Sequence, residues 1–186
     1  MYLHIFTVGW VLFWAYWLVT AFSSKPTVHR DNVAWGIRLL VMLFILAIFL
    51  GGGSLNSASL GSAILADNFV SSVIALILFF LGLGLAVWAR VHLGRNWGMP
   101  VSLKANPELV TTGPYRYIRN PIYSGVLLAM LATASVASNA WFIAFILFGI
   151  YFIYASHAEE KIMAQAFPDT YPAYRARTKM LIPGIL

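Results

Sequence analysis

The stretch from Asn120 to Phe167 reads NPIYSGVLLAMLATASVASNAWFIAFILFGIYFIYASHAEEKIMAQAF and decides the fold. It holds two apolar runs separated only by Ser138-Asn139, and Pro168 closes it. Asparagine is a preferred helix cap and proline a preferred first helical residue, so Asn120-Pro121 starts a helix. Pro121 to Ser138 is barely long enough to cross a ~30 Å hydrocarbon core at ~1.5 Å per residue. Ser138-Asn139 can supply only a tight turn, so the chain returns as a helical hairpin. The returning helix, from about Ala140, is apolar through Ser156 and then runs without a breaker through His157, Glu159, Glu160 and Lys161 to Phe167. It should protrude about two turns beyond the bilayer.

Outward from the hairpin, further runs have spanning length. Tyr2 to Phe22 is uncharged, and Met1 to Trp10 has no Lys or Arg, which speaks for a retained first span rather than a signal peptide. Val33 to Leu50 is a second span, whose Arg38 can snorkel to the nearer interface. Phe69 to Ala89 is a third, ending at Arg90. The expected fold is an all-α integral membrane protein of about five transmembrane helices. It forms one membrane domain over 1–186, with two helices and a Gly/Ser loop in 1–68 and the core in 69–186. With 61% hydrophobic and 10% charged residues, lipid is the main solvent. The loop Gly51 to Asn68 lacks a following Gly-Lys-Ser/Thr, so no phosphate-binding loop is expected. The absence of cysteine excludes disulfides and thiolate sites, and His4, His29, His92 and His157 are too scattered for a metal cluster.

The formal charge of +6 does not point to nucleic acid, because the basic residues flank apolar runs instead of gathering on one soluble face. They act as orientation signals. Lys25, Arg30 and Arg38 border the first connection, Arg90, Arg95, Lys104, Arg116 and Arg119 the third, and Lys161, Arg175, Arg177 and Lys179 follow the last span, so all 12 fall on one side. The positive-inside rule then places the N-terminus outside and the C-terminus in the cytoplasm. The tail from Tyr171 is basic and aromatic, suited to the membrane surface.

Three polar elements converge on the cytoplasmic side: Leu93 to Val101, Asn106 to Tyr123, and Glu159-Glu160. The second contains Glu108-Leu-Val-Thr-Thr-Gly-Pro-Tyr-Arg-Tyr-Ile-Arg-Asn-Pro-Ile-Tyr-Ser-Gly125, and a hairpin, a Glu-Glu pair and a Tyr-x-x-Tyr-x-x-Arg tail follow. This ordered set, over roughly Leu81 to Ile185, resembles the isoprenylcysteine carboxyl methyltransferases and the related phospholipid methyltransferases.

The resemblance implies an S-adenosylmethionine pocket at the cytoplasmic end of the hairpin. A sulfonium, an ammonium and a carboxylate call for aromatic faces, an anion and oriented N–H donors. By resemblance, Pro107, Glu108, Leu109 and Val110 lie along the nucleoside, Tyr115 and Tyr123 line the cofactor, and Glu159 accepts from its ammonium. Asn120 stands where many relatives have histidine, and as a cap it orders the first N–H groups of the helix opened by Pro121, Ile122 and Tyr123, a seat for the carboxylate. His92, Trp97, Arg119 and Glu160 are candidate pocket or substrate residues. Each has a plainer reading: interfacial packing for His92 and Trp97, lipid phosphates for Arg119, and a solvated helix end for Glu159 and Glu160. Eukaryotic prenylcysteine enzymes carry a substrate-contacting arginine at the position of Ala155, which leaves the acceptor open between a carboxylate and an amine. His157 is a candidate base for an amine, against a plain helix-end histidine. The expected partner is a lipid or lipidated acceptor reaching the site from the bilayer. Two alternatives share the hairpin: an NADPH-dependent sterol-type reductase and a non-catalytic membrane protein.

Overall fold

A computed structural model describes residues 2–30, 36, 68–98, 100–137 and 139–185. The expected second span, Val33 to Leu50, and the Gly/Ser loop up to Asn68 lie outside the described residues apart from Gly36 and Asn68. The helices are α1 (Tyr2–Ala21), α2 (Phe69–Leu93), α3 (Pro121–Val136), α4 (Asn139–Ala166) and α5 (Tyr171–Arg177). Three described segments are long and apolar enough to cross a membrane, Leu3–Ala21, Phe69–Asn96 and Asn139–Ala166, while α3 is a shorter apolar helix. The hairpin of α3 and α4 thus falls where the two apolar runs place it.

The start of α2 is fixed by Asn68, whose side chain accepts from the Ser71 N–H while the Ser71 hydroxyl faces the Asn68 N–H, a reciprocal cap. Its end differs from the expected stop at Ala89. The helix continues through Arg90 because that side chain turns inward: Nη1 donates to the Gly94 carbonyl at 2.7 Å and Nη2 to the Thr20 carbonyl at 2.6 Å. The guanidinium also lies over the Trp97 ring, 4.6 Å from its centroid. Arg90 therefore ties the end of α1 to the end of α2. At the other end of this pair Phe6 packs on Phe79, so α1 and α2 run parallel, as the sequence layout places its first and third spans.

Crossing of α2 and α3 depends on small residues. A Cβ on Gly82 would stand 2.6 Å from the Gly125 carbonyl oxygen, and one on Gly125 would stand 2.5 Å from that of Gly82. Ala86 and Ala129, one turn further on, are fully buried in the same seam. Backbones that approach this closely gain dispersion contacts that lipid cannot match. Trp10 joins α1 to the hairpin, stacking on Trp141 at 6.1 Å and donating through Nε1 to the Thr133 hydroxyl at 3.1 Å.

Two short strands, β1 (Thr27–Arg30) and β2 (Ser102–Lys104), pair antiparallel and depart from a wholly helical fold. The Lys25 N–H bonds the Arg95 carbonyl and the Ala105 N–H bonds that of Pro26, so the ribbon pairs backbone groups where α1 and α2 end. The tail also differs from a surface-lying segment. Tyr171 and Tyr174 are buried, and the Tyr174 hydroxyl donates to the Tyr115 carbonyl at 2.8 Å.

Candidate functional site

A cavity of about 670 Å³ lies between α1, the connection from α2 to α3, the hairpin and α5. Its two ends differ in chemistry. At one end, the short 3-10 turn Gly113–Arg116 and the first turn of α3 present Tyr115 and Tyr123, facing Glu159 on α4. The Tyr123 hydroxyl donates to Glu159 Oε1 at 2.6 Å, and the Val101 N–H donates to the same oxygen at 3.0 Å. Val101 has φ 56°, a left-handed conformation that a β-branched residue rarely adopts. Its strain accompanies the aim of its N–H at the carboxylate. The Tyr123 ring stacks on Phe152 at 4.3 Å with 7° between the planes.

Burial, with the nearby Glu159 charge second, pushes the Tyr115 phenol well above its ordinary value. Burial likewise raises Tyr174, and it pushes Tyr171 up to about 12 with the Glu160 charge adding. All three phenols therefore stay neutral at physiological pH.

Glu159 and Glu160 are neighbours with different partners. Glu160 is buried and accepts from Arg119 Nε at 2.8 Å and Nη2 at 2.5 Å, while Arg175 Nε lies 3.1 Å from its other oxygen. Arg119 Nη1 donates to the carbonyls of Arg175 and Thr178. The lipid-phosphate reading of Arg119 is thereby replaced: its side chain points inward and binds the tail to α4. The solvated-end reading of Glu160 fails for the same reason. Asn120 precedes α3 but does not cap it with its side chain; Nδ2 donates instead to the Met180 carbonyl at 3.2 Å. Glu108 is exposed and pairs with Lys25 at 2.8 Å, and the hydrogen bonds from Lys25 and then Asn96 hold its carboxyl below the ordinary range.

Of the residues singled out by the sequence, Pro107, Glu108, Val110, Tyr115, Asn120 and Ile122 lie on the cavity wall. So do Tyr123, Glu159, Glu160, Arg119 and Trp97. Leu109, Pro121 and Ala155 are outside the lining, although Pro121 and Ala155 are fully buried beside it. His92 packs against Trp88 and Gly113, and the exposed His157 bonds the Ile153 carbonyl through Nδ1 at 2.8 Å; neither reaches the cavity. Among the described residues no group of three or more His, Cys, Asp and Glu side chains could hold a metal ion.

The other end of the cavity was not foreseen. Trp10, Phe13, Trp14 and Trp17 of α1 form one wall, opposite Trp141, Phe148 and Phe152 of α4. The i, i+3, i+4, i+7 spacing of the four α1 rings is a single-face stripe that could have revealed them. Ser156 also lines the cavity, between Phe152 and Glu159 on α4.

The family model described as phospholipid methyltransferase matches residues 70–170, from α2 through α4 to the start of α5. The chain is 29% identical over 171 residues to the cobalt-zinc-cadmium resistance protein CzcN of Cupriavidus metallidurans, covering 90% of this chain and 70% of that protein. It is 33% identical over 127 residues to the protein-S-isoprenylcysteine O-methyltransferase of Schizosaccharomyces pombe, covering 63% of this chain and 53% of that protein. To the methanethiol S-methyltransferase of a Pseudomonas species it is 28% identical over 115 residues, covering 57% of this chain and 44% of that protein. The chain thus spans about half the length of each of these two enzymes.

Proposed function

The chain belongs to the phospholipid methyltransferase family, and from that premise we propose that it transfers the methyl group of S-adenosylmethionine to a bilayer-borne acceptor with an apolar body. The observation that carries this reading is a single cavity joining the Tyr115, Tyr123 and Glu159 end to the aromatic end under α1. When bound, the cofactor supplies an electrophilic methyl on a sulfonium, beside an ammonium and a carboxylate.

The residues present fit such a group. Glu159, oriented by Tyr123 and Val101, presents an anion to an ammonium. Tyr115 and Tyr123 offer aromatic faces, where a cation gains ~0.5 to 2 kcal/mol. In the first turn of α3 Pro121 carries no N–H and Ser124 bonds the Asn120 carbonyl, which leaves the N–H groups of Ile122 and Tyr123 to suit a carboxylate. Pro107 and Val110 border the nucleoside. The α1 rings and Phe148 exclude water and hold the acceptor in line, and such positioning is worth ~7 to 11 kcal/mol. Prenylcysteine is not favoured as the acceptor, because Ala155 supplies no cation. The gathering of Lys and Arg on one side supports a cytoplasmic mouth and C-terminus with the N-terminus outside.

Equilibrium binding of S-adenosylhomocysteine and of NADPH to the purified full chain tests the reading. S-adenosylhomocysteine should bind and NADPH should not. Glu159→Gln should weaken S-adenosylhomocysteine about tenfold or more, the loss of one charge-assisted hydrogen bond. Binding of NADPH alone would move the chain to the reductase chemistry, and an unchanged affinity in the Gln variant would remove Glu159 from the site.

A further inference from the structure

Ser156 is 0% exposed, and its Oγ has no hydrogen-bond partner although it lines the cavity. Helical serines and threonines usually return their hydroxyl to the carbonyl four residues back. In this protein Ser124 does so to Asn120, Thr133 to Ala129 and Thr178 to Tyr174. Ser156 makes no such bond to Phe152. A buried hydroxyl without a partner is costly, so a group inside the cavity is the natural source of one.

The place of Ser156 along α4 says which group. Glu159 lies three residues on, ~4.5 Å along the axis, and Phe152 four residues back, ~6 Å. The hydroxyl therefore sits where the polar end meets the aromatic arm, the level at which an acceptor head must meet a methyl donor. Charge complementarity narrows the head. Arg119 is the cation among the described lining residues, and its Nε, Nη1 and Nη2 are engaged by Glu160, Arg175 and Thr178. Among the described lining side chains no cation is left to neutralise a carboxylate or phosphate beside Ser156, so the sulfonium of a bound cofactor would be the positive charge there, whereas a hydroxyl can both donate to and accept from a neutral head.

Resting on the methyltransferase reading, we propose that Ser156 Oγ binds an uncharged, hydrogen-bonding head group of the acceptor, whose apolar body lies in the aromatic arm between α1 and α4. The residue sets specificity for the head, while Glu159 serves the cofactor.

The test uses the full chain in nanodiscs saturated with S-adenosylhomocysteine, with the shift of tryptophan emission on adding 1-decanol, decanoate or decane as the binding signal and affinities expressed as mole fraction of ligand in the bilayer. In the native chain 1-decanol should bind more tightly than either of the others. Ser156→Ala should lower its affinity about three- to tenfold, the loss of one neutral hydrogen bond, and leave decane unchanged. Partition into the bilayer is common to both proteins and cancels in their comparison. The variant loses no bond of the fold, so its thermal midpoint should stay level or rise. Equal 1-decanol affinity in the two proteins overturns the proposal and assigns the hydroxyl to water; tighter decanoate overturns the neutral head. Failure of S-adenosylhomocysteine to bind either protein sinks the methyltransferase reading instead, so the two failures are separable.

Discussion

At the Glu159 end of the cavity, side chains are held by hydrogen bonds between residues far apart in sequence: Tyr123 and Val101 to Glu159, Arg119 to Glu160, Tyr174 to Tyr115. At the α1 end they are held by ring against ring, with Trp10 on Trp141 and on Phe13, and Phe13 against Trp17. The first arrangement concentrates energy in a few directional bonds in a poorly solvated place, where removing one partner strands the other. The second spreads it over many weak contacts that can readjust. One end should therefore be brittle and the other tolerant, which suits the proposed division between a cofactor end and an acceptor end.

Arg119→Ala should break the brittle end most severely. Its loss leaves Glu160 buried with Arg175, whose side chain is 61% exposed, and strands the Thr178 carbonyl. Removing one member of a buried pair typically costs ~3 to 5 kcal/mol. The thermal midpoint in detergent should fall by more than for any single ring truncation in α1, and S-adenosylhomocysteine binding should fall with it. A variant as stable as the native chain would show that the Glu160 network is solvated and that the two ends do not differ in this way.

Trp10→Phe probes the tolerant end at the residue where it is least tolerant, because this ring also donates the 3.1 Å bond to Thr133. Thr133 keeps its own bond to the Ala129 carbonyl, so the substitution removes one neutral hydrogen bond and part of a stack, ~0.5 to 1.5 kcal/mol. Thermal unfolding beside the Arg119 variant gives the ratio directly. Equal losses would erase the contrast.

The same contrast explains what the sequence disclosed. Apolar runs and the Asn120-Pro121 start are local signals, so the hairpin and the placement of Tyr115, Tyr123 and Glu159 near one another could be read from residue order and motif. Arg90 and Arg119 looked like interfacial cations because a flanking arginine carries the same local signature whether it faces lipid headgroups or folds back. Their partners, Thr20 for one and Glu160 for the other, are distant in sequence and leave no periodicity. The ribbon escaped for a related reason: strands of three or four residues are too short to show alternation, and pairing of 27–30 with 102–104 is set by where α1 and α2 end. The α1 aromatic stripe was visible as spacing, but a lipid-facing stripe has the same period. Only the position of the hairpin decides which way it points.

Lys25 links the two ends, since it follows α1 and its Nζ donates to Asn96 Oδ1, the Asn106 carbonyl and Glu108 Oε1. Unlike Glu160, Glu108 is open to solvent, with its side chain 70% exposed, so this connection should be the weakest of the three tested. Lys25→Met should lower the thermal midpoint less than Trp10→Phe, and added salt should shrink the difference further. Acid provides the sharper reading. The Glu108 carboxyl is held below its ordinary 4.5 in the folded chain, first by the hydrogen bond from Lys25 and then by that from Asn96. A depressed folded-state pKa gives stability that is present above pH 4.5 and is lost as the pH falls through the lowered value. The native chain and the Lys25 variant should therefore differ at neutral pH and converge in acid. A difference that persists unchanged below that range would place the effect of Lys25 in its bonds to Asn96 and the Asn106 carbonyl, neither of which titrates there.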